Sequence, residues 1–417
     1  MSLAGLGKTT ILAAIVVGIV GSVSAQENWP RFRGENGAGT GSQAGLPDQW
    51  SEKDYAWTVD IPGKGHSSPI VWGEKLFLTT AIPDAATGGT LRQLRCLSAT
   101  TGDTIWVKGI SLESSHLHKK SSWASGTPAT DGKMVYVAFA DEKQHKLVAF
   151  DFDGTLVWTK ELGPFTSQHG QGSSPILFED LVILPNDQMG PSEILAFKKS
   201  SGELAWRTKR EFRKTSYATP MIHVIDGQAQ LICVSGAMGV CSLDPRSGKL
   251  NWKTEPFPMR TVASPVFANG LIFASCGSGS QGKLLFGVDP KLDVNPTERV
   301  RIRRQTTLPY VPTPVEHGGR LFLWTDRGIV VCLDPKDGKE VWRDRVRGNF
   351  SGSPICVDGK LYCVSESGDV VVVAAAPEFR LLGRTSLGTQ SYATPAVANG
   401  RLYLRTFKRL MCLAAKS

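Results

Sequence analysis

At 417 residues the chain exceeds a usual single domain, but a closed ring grows by repetition, so length forces no split. A hydrophobic content of 41%, with 44 glycines and 24 prolines, suits a turn-rich all-β domain. The formal charge of +9 favours anionic partners such as acidic polysaccharide, lipid head groups or acidic protein segments. No RRM, helix-turn-helix or zinc-finger pattern accompanies it, so nucleic acid is not expected.

The first 25 residues read as a signal peptide. Lys8 supplies a positive start, Ile11 to Val20 form a short apolar core, and Val23-Ser24-Ala25 offer small residues before Gln26. The core is too short to span a bilayer as a stable helix. No cysteine lies near the cleavage point, so a lipid anchor is not expected. Gly7-Lys8-Thr9 resembles the tail of a phosphate-binding loop, but Ser2 stands where that motif needs Gly and no strand precedes it. The mature chain is expected to be soluble, monomeric, and periplasmic or secreted. Residues 26–53 form an N-terminal extension, and the remainder, 54–417, is one repeating domain.

Within that domain a tryptophan follows a glycine by four residues five times: Gly102/Trp106, Gly154/Trp158, Gly202/Trp206, Gly248/Trp252 and Gly338/Trp342. Successive tryptophans stand 52, 48, 46 and 90 residues apart, a period that points to a propeller or similar array. Eight Ser-Pro or Thr-Pro pairs, at Pro69, Pro128, Pro175, Pro220, Pro265, Pro314, Pro354 and Pro395, each open an apolar run. Proline suits the first residue of a strand, where its missing N–H costs the ladder nothing. Turns such as Asp131-Gly132, Asn269-Gly270, Asp358-Gly359 and Asn399-Gly400 then join two apolar runs as hairpins. Each unit reads as a four-stranded antiparallel meander whose fourth strand carries the Trp. In this reading the Trp packs between neighbouring sheets and its Gly makes the turn that lets it dock. Two units lack the pair. The fifth runs from Asp289-Pro290 into the basic stretch Arg299 to Arg304, and the seventh through Ala376-Pro377 to Arg380.

The chain ends settle the count. After Pro395 only three strands remain, and the missing fourth is the Trp57 segment, residues 54–60. The expectation is an all-β, eight-bladed β-propeller whose last blade is closed by an N-terminal strand, leaving no open edges. Ser-Pro opens the odd blades and Thr-Pro the even ones. The even blades also carry an aromatic just upstream, at Trp123, Tyr217, Tyr310 and Tyr392, as though a two-blade unit had been repeated four times.

The strings LSATTGDTIW, LDPRSGKLNW and LDPKDGKEVW resemble the repeat of the PQQ-like (quinoprotein dehydrogenase-like) propellers, over the chain from about Tyr55 to Ser417. The segment NWPRFRGENGAGTG is similar to secreted, cofactor-free members widespread in planctomycete-type bacteria. The resemblance implies one of two occupations. One is a dehydrogenase holding pyrroloquinoline quinone and calcium above the ring, and the other is a cofactor-free scaffold such as the propeller lipoprotein of the outer-membrane β-barrel assembly machinery. The adjacent Cys-Cys that the dehydrogenases typically use beside their cofactor is missing, so no cofactor is expected, with the quinone and calcium as the alternative.

Export places the eight cysteines in an oxidising compartment. Cys96, Cys241, Cys332 and Cys412 read as one repeat position before Leu on the third strand, where other blades place Ala149, Ala196 or Gly287. Equivalent positions in different blades lie too far apart to bridge. Free buried thiols are expected, and Cys356 with Cys363, on one hairpin, are the nearest thing to a bridged pair.

Function should sit where the loops leading into the Ser/Thr-Pro strands converge. The candidate ligand-binding set is His66, His169, Arg213, Tyr217, Arg260 and Tyr392, a basic and aromatic funnel suited to a protein partner in the cell envelope or an anionic or sugar ligand. Trp57, Trp106, Trp158, Trp206, Trp252 and Trp342 are assigned to docking between blades. His66, His116, His118 and His169 bring no carboxylate or Cys at ligand spacing, so no metal is expected. Asp187, Glu193 and Asp326 are scattered, and no Gly-x-Ser-x-Gly, kinase or HExxH pattern occurs. No catalytic residue is named. The first reading is an exported, non-catalytic binding scaffold. The second is a quinoprotein-type oxidoreductase.

Overall fold

The computed structural model describes residues 27–42, 45–114, 117–210, 214–278 and 281–415. The signal-peptide segment, His116 and Arg213 lie outside the described residues. Eight four-stranded antiparallel sheets follow one another along the chain. The first strands of neighbouring sheets touch, as Val266–Ala268 touches Val315–His317 and Val315–His317 touches Ile355–Val357, so these short strands line the axis. Apart from two three-residue 3-10 turns, Glu35–Gly37 and Glu52–Asp54, regular structure among the described residues is all strand. Tyr55–Asp60 pairs antiparallel with Arg409–Ala414, placing Trp57 opposite Cys412, and completes the eighth sheet. The ring is closed by both chain ends, as the three-strand C-terminal unit requires.

The tryptophans join consecutive blades through a directed bond as well as packing. The indole N–H donates to a carbonyl in the turn of the next blade: Trp57 to Ala99 at 3.2 Å, Trp106 to Phe152 at 3.1 Å, Trp158 to Lys199 at 2.8 Å. Trp206 reaches Pro245, Trp252 reaches Pro290, and Trp342 reaches Ala376 in the same way. The glycine of each pair serves its neighbour's ring. A Cβ on Gly248 would lie 2.4 Å from the Trp206 ring, and its φ of +71° already disfavours a side chain. The Gly/Trp spacing therefore records two adjoining interfaces, with four of the five glycines seated under the Trp of the preceding blade.

The two irregular blades have substitutes. In blade five Ile302 takes the Trp slot opposite Gly287, and Gly338 packs over Ile302. Arg299 holds the long preceding turn through the carbonyls of Asp289, Lys291 and Val294, while its guanidinium lies 4.5 Å from the Trp252 ring centroid. In blade seven the slot holds Gly383, and the N-terminal extension covers it. A Cβ there would lie 1.9 Å from the Asp48 carbonyl oxygen. Gln49 donates to Leu382 O, and Tyr362 Oη donates to the carbonyls of Leu46 and Pro47.

The first part of the extension closes the axis. Trp29 exchanges backbone bonds with Val71, and the Thr130 N–H donates to Pro30 O. Asn36 exchanges side-chain bonds with the Ile222 backbone, and Thr40–Gly41 adds a parallel strand to Ile355–Val357. Arg31 donates to Pro220 O, while Arg33 donates to the carbonyls of Thr313, Pro314 and Pro354. One segment thus ties blades one, two, four, six and seven across the centre. Gly34, at φ +71°, makes the tight turn that lets this happen, because a Cβ would sit 2.5 Å from the Trp29 ring.

All eight cysteines are free and buried. Cys96, Cys332 and Cys412 face Trp106, Trp342 and Trp57 as one repeat position should. Cys241 does not belong with them. Ser242 faces Trp252, and Cys241 lies one residue earlier, directly across from Cys233. The sequence Cys241-Ser242-Leu243 puts a serine in the slot. Cys356 and Cys363 pair with Leu361 and Val371, so they do not face each other.

Candidate functional site

At one end of the axis the lead-in loops surround a cavity of about 250 Å³. His66, His118, His169, Tyr217, Tyr310 and Tyr392 form its wall, and Phe32 of the extension lies in its lining. The funnel is therefore a cup, closed below by residues 29–41. Four of the candidate residues, His66, His169, Tyr217 and Tyr392, line it together. Arg260 stands behind the wall and donates to His169 Nε2 and, at 2.6 Å, to Gln168 Oε1.

His66 and the wall tyrosines are held neutral by burial. His66 stacks on Phe407 with centroids 5.0 Å apart and lies 4.9 Å from the Tyr392 ring. Burial, with Arg405 nearby, pulls its imidazole down to about 3. His118 and His169 meet edge to face at 4.6 Å. Tyr217 Oη and Ser167 Oγ are 2.9 Å apart, and burial raises the Tyr217 phenol while pushing that of Tyr310 up to about 12. At the rim Lys120 pairs with Glu366, which also accepts from Ser351 Oγ at 2.6 Å.

Below the wall runs a ring built from the residue before each strand-opening proline. Ser68 N–H donates to Thr127 Oγ1, Thr127 to Ser174, Thr219 to Ser264, Ser264 to Thr313, Thr313 to Ser353, and Ser353 to Thr394, all at 2.9 to 3.0 Å. Six of eight interblade steps are closed this way. The alternation of Ser-Pro and Thr-Pro pointed to these positions, but proline at a strand start explained only the second residue of each pair. The hydroxyl that stitches one blade to the next was the unread half.

Three buried arginines lie next to this ring. Arg31 and Arg33 donate only to carbonyls, and Arg405 donates to Ser67 O, Ser67 Oγ and Thr79 O. Burial pulls each down to about 9, and among the described residues no carboxylate pairs with them. The scattered acids are used elsewhere. Asp187 is locked to buried Arg210, and Glu193 lies 3.7 Å from Arg207. Asp326 accepts from the backbone of Tyr310 and Val311 and pairs with Lys283. Among the described residues no group of three His, Cys, Asp or Glu is placed to hold a metal ion.

The family described as "Outer membrane protein assembly factor BamB" matches residues 90–289 and 293–378. The protein of that name from Burkholderia pseudomallei (strain K96243) is 27% identical over 155 residues, 36% of this chain. The chain thus spans about two-fifths (39%) of that curated relative's length. The solved structure of BamB from Moraxella catarrhalis superposes with a TM-score of 0.60 at 15% identity, covering 86% of this chain and 99% of that one. The quinohemoprotein alcohol dehydrogenase from Comamonas testosteroni gives 0.67 at 13% identity, covering 94% and 81%. At those identities the structural likeness is one of fold. The family match extends over more than half of the sequence, and the chain belongs to the PQQ-like propeller family that bears the assembly-factor description.

Proposed function

We propose that this is an exported, non-catalytic binding propeller of the cell envelope, engaging a protein partner, or else a free anionic or sugar ligand, at the cup. The observation that carries this reading is the convergence of six His and Tyr side chains over a floor sealed by the chain's own extension. Such a surface offers hydrogen-bond donors and ring faces, and among the described residues no cluster of three metal-binding side chains is placed there. The curated relative's name, an assembly factor of the outer membrane, agrees with a partner protein in the envelope. The quinoprotein alternative needs oxygen ligands for calcium. Among the described residues no Asp or Glu lines the cup, so those residues do not fit that group.

The test is binding of a confirmed native partner by the purified mature chain. Arg260→Ala with Tyr392→Ala should weaken it while leaving the melting temperature nearly unchanged, since neither side chain belongs to a blade's buried core. Binding should also weaken with salt, because exposed charges are screened beyond about 8 Å at physiological ionic strength. A double variant that binds as well as wild type, or saturable quinone binding with dehydrogenase activity, would contradict the reading.

A further inference from the structure

We infer that the floor of the cup receives an oxyanion group, a carboxylate or a phosphate, through the hydroxyls of the Ser/Thr ring. This deepens the reading that the cup is the binding surface, and names the chemistry it selects. A hydroxyl can both accept and donate. In the ring, Thr127, Ser174, Ser264, Thr313, Ser353 and Thr394 each accept a backbone N–H from the neighbouring blade, and among the described residues none donates its own proton to a protein atom. Ser68 and Thr219, residues 1% and 3% exposed, stand in the ring where the stitch is broken. Ser68 Oγ is sealed from solvent and makes no hydrogen bond at all. Seven of the eight ring residues line the cup.

A circle of unspent O–H donors about one axis is satisfied by a group with several lone pairs. The charge around it narrows the choice. Arg33 is anchored to the carbonyls of Thr313, Pro314 and Pro354, and Arg31 to that of Pro220, at or one residue past the ring. Arg405 is anchored to Ser67, the residue before Ser68. These cations sit in a low-dielectric site with only dipoles for partners, so their field extends into the cup with little screening. Among the described residues the cup lining contains no Asp or Glu, and its Lys120 is paired with Glu366 at the rim. Donors and field together select an anion over a neutral sugar. Phe32, Val262 and Val311 supply the apolar part of the lining that keeps such hydrogen bonds strong.

Two sources carry this chemistry: a free phosphate, and a carboxylate borne by an acidic protein segment. Calorimetric titration of the full mature chain with inorganic phosphate, with a hexaglutamate peptide, and with neutral D-glucose separates them. The informative variant is Ser68→Ala with Thr219→Val, because neither hydroxyl holds a backbone group and the fold should survive, as an unchanged melting temperature will verify. One anion should saturate, glucose should give no heat, and the double variant should bind that anion at least about tenfold more weakly, as expected for losing hydrogen bonds to a charged group. Tighter binding of phosphate assigns a free anion, and tighter binding of hexaglutamate assigns a partner's carboxylate. The inference is overturned if neither anion saturates below about 10 mM, or if the double variant binds as tightly as wild type. If the anions fail while a partner still binds at the cup wall, only the floor assignment falls. If the partner fails as well, the cup reading falls with it.

Discussion

Thr313 donates its backbone N–H to Ser353 Oγ at 2.9 Å, and Ser353 passes the same bond on to Thr394. The link joins blade six to blade seven immediately above the carbonyl that Arg33 occupies. Two features of the sequence thus meet at one point of the axis, the strand-opening Ser/Thr-Pro and the N-terminal extension.

The first expected outcome follows from that link. Ser353→Ala leaves a buried backbone N–H without a partner and should cost about 1–3 kcal/mol in urea unfolding. Ser68→Ala removes a hydroxyl that holds nothing and should be close to neutral. Equal effects at the two positions would mean that the stitch contributes nothing to closure.

Arg33→Leu should be among the most damaging single changes. It strips three inner-strand carbonyls of their donor, a loss of about 3 kcal/mol or more. Residues 27–42 should then become sensitive to limited proteolysis. A variant that melts like wild type with a protected extension would show that the plug is held by other contacts.

Gly383→Ala tests how blade seven does without a Trp. Its Cβ would meet the Asp48 carbonyl oxygen at 1.9 Å, and the backbone there must move. Residues 46–50 should exchange amide protons faster than in wild type, with the eight blades otherwise intact. Unchanged protection would show that the arm is not seated in the empty Trp slot.

Acid sensitivity should trace partly to His145, which is 1% exposed, lies against Phe165, and has Nδ1 3.1 Å from Asn186 Oδ1. Burial pulls it down to about 4, so the unfolded chain takes up its proton first as pH falls. The stability from the neutral ring is fully present above about 6.5 and is lost as pH falls towards 4. His145→Gln should flatten the stability profile over that window by up to about 1.4 kcal/mol per pH unit. An unchanged slope would place the acid transition elsewhere.

The fold was legible because repetition reports itself. Five Gly/Trp pairs gave the period, the eight Ser/Thr-Pro starts and the lone Trp57 strand gave the count, and the Trp57–Cys412 register closes the ring. Lead-in loops were recognisable too, and they bring His66, His169, Tyr217 and Tyr392 to one cavity. The extension was not legible. Trp29, Arg31, Phe32 and Arg33 carry no periodicity, and what they bind is backbone carbonyl, which every sequence supplies equally. Cys241 was misplaced for a related reason, since a one-residue offset between blades is set by strand pairing and leaves little trace in composition.

The central claim is that the cup is the surface this propeller uses. The direct measurement is photo-crosslinking in the native envelope from a reactive residue at Tyr392, beside the cup wall, compared with one at Leu156, 56% exposed on the outermost strand of blade two. A discrete protein adduct from position 392, absent from position 156 and lost with Arg260→Ala, is the predicted result. An adduct from position 156 with none from position 392 would contradict the account and move the binding surface to the outer rim.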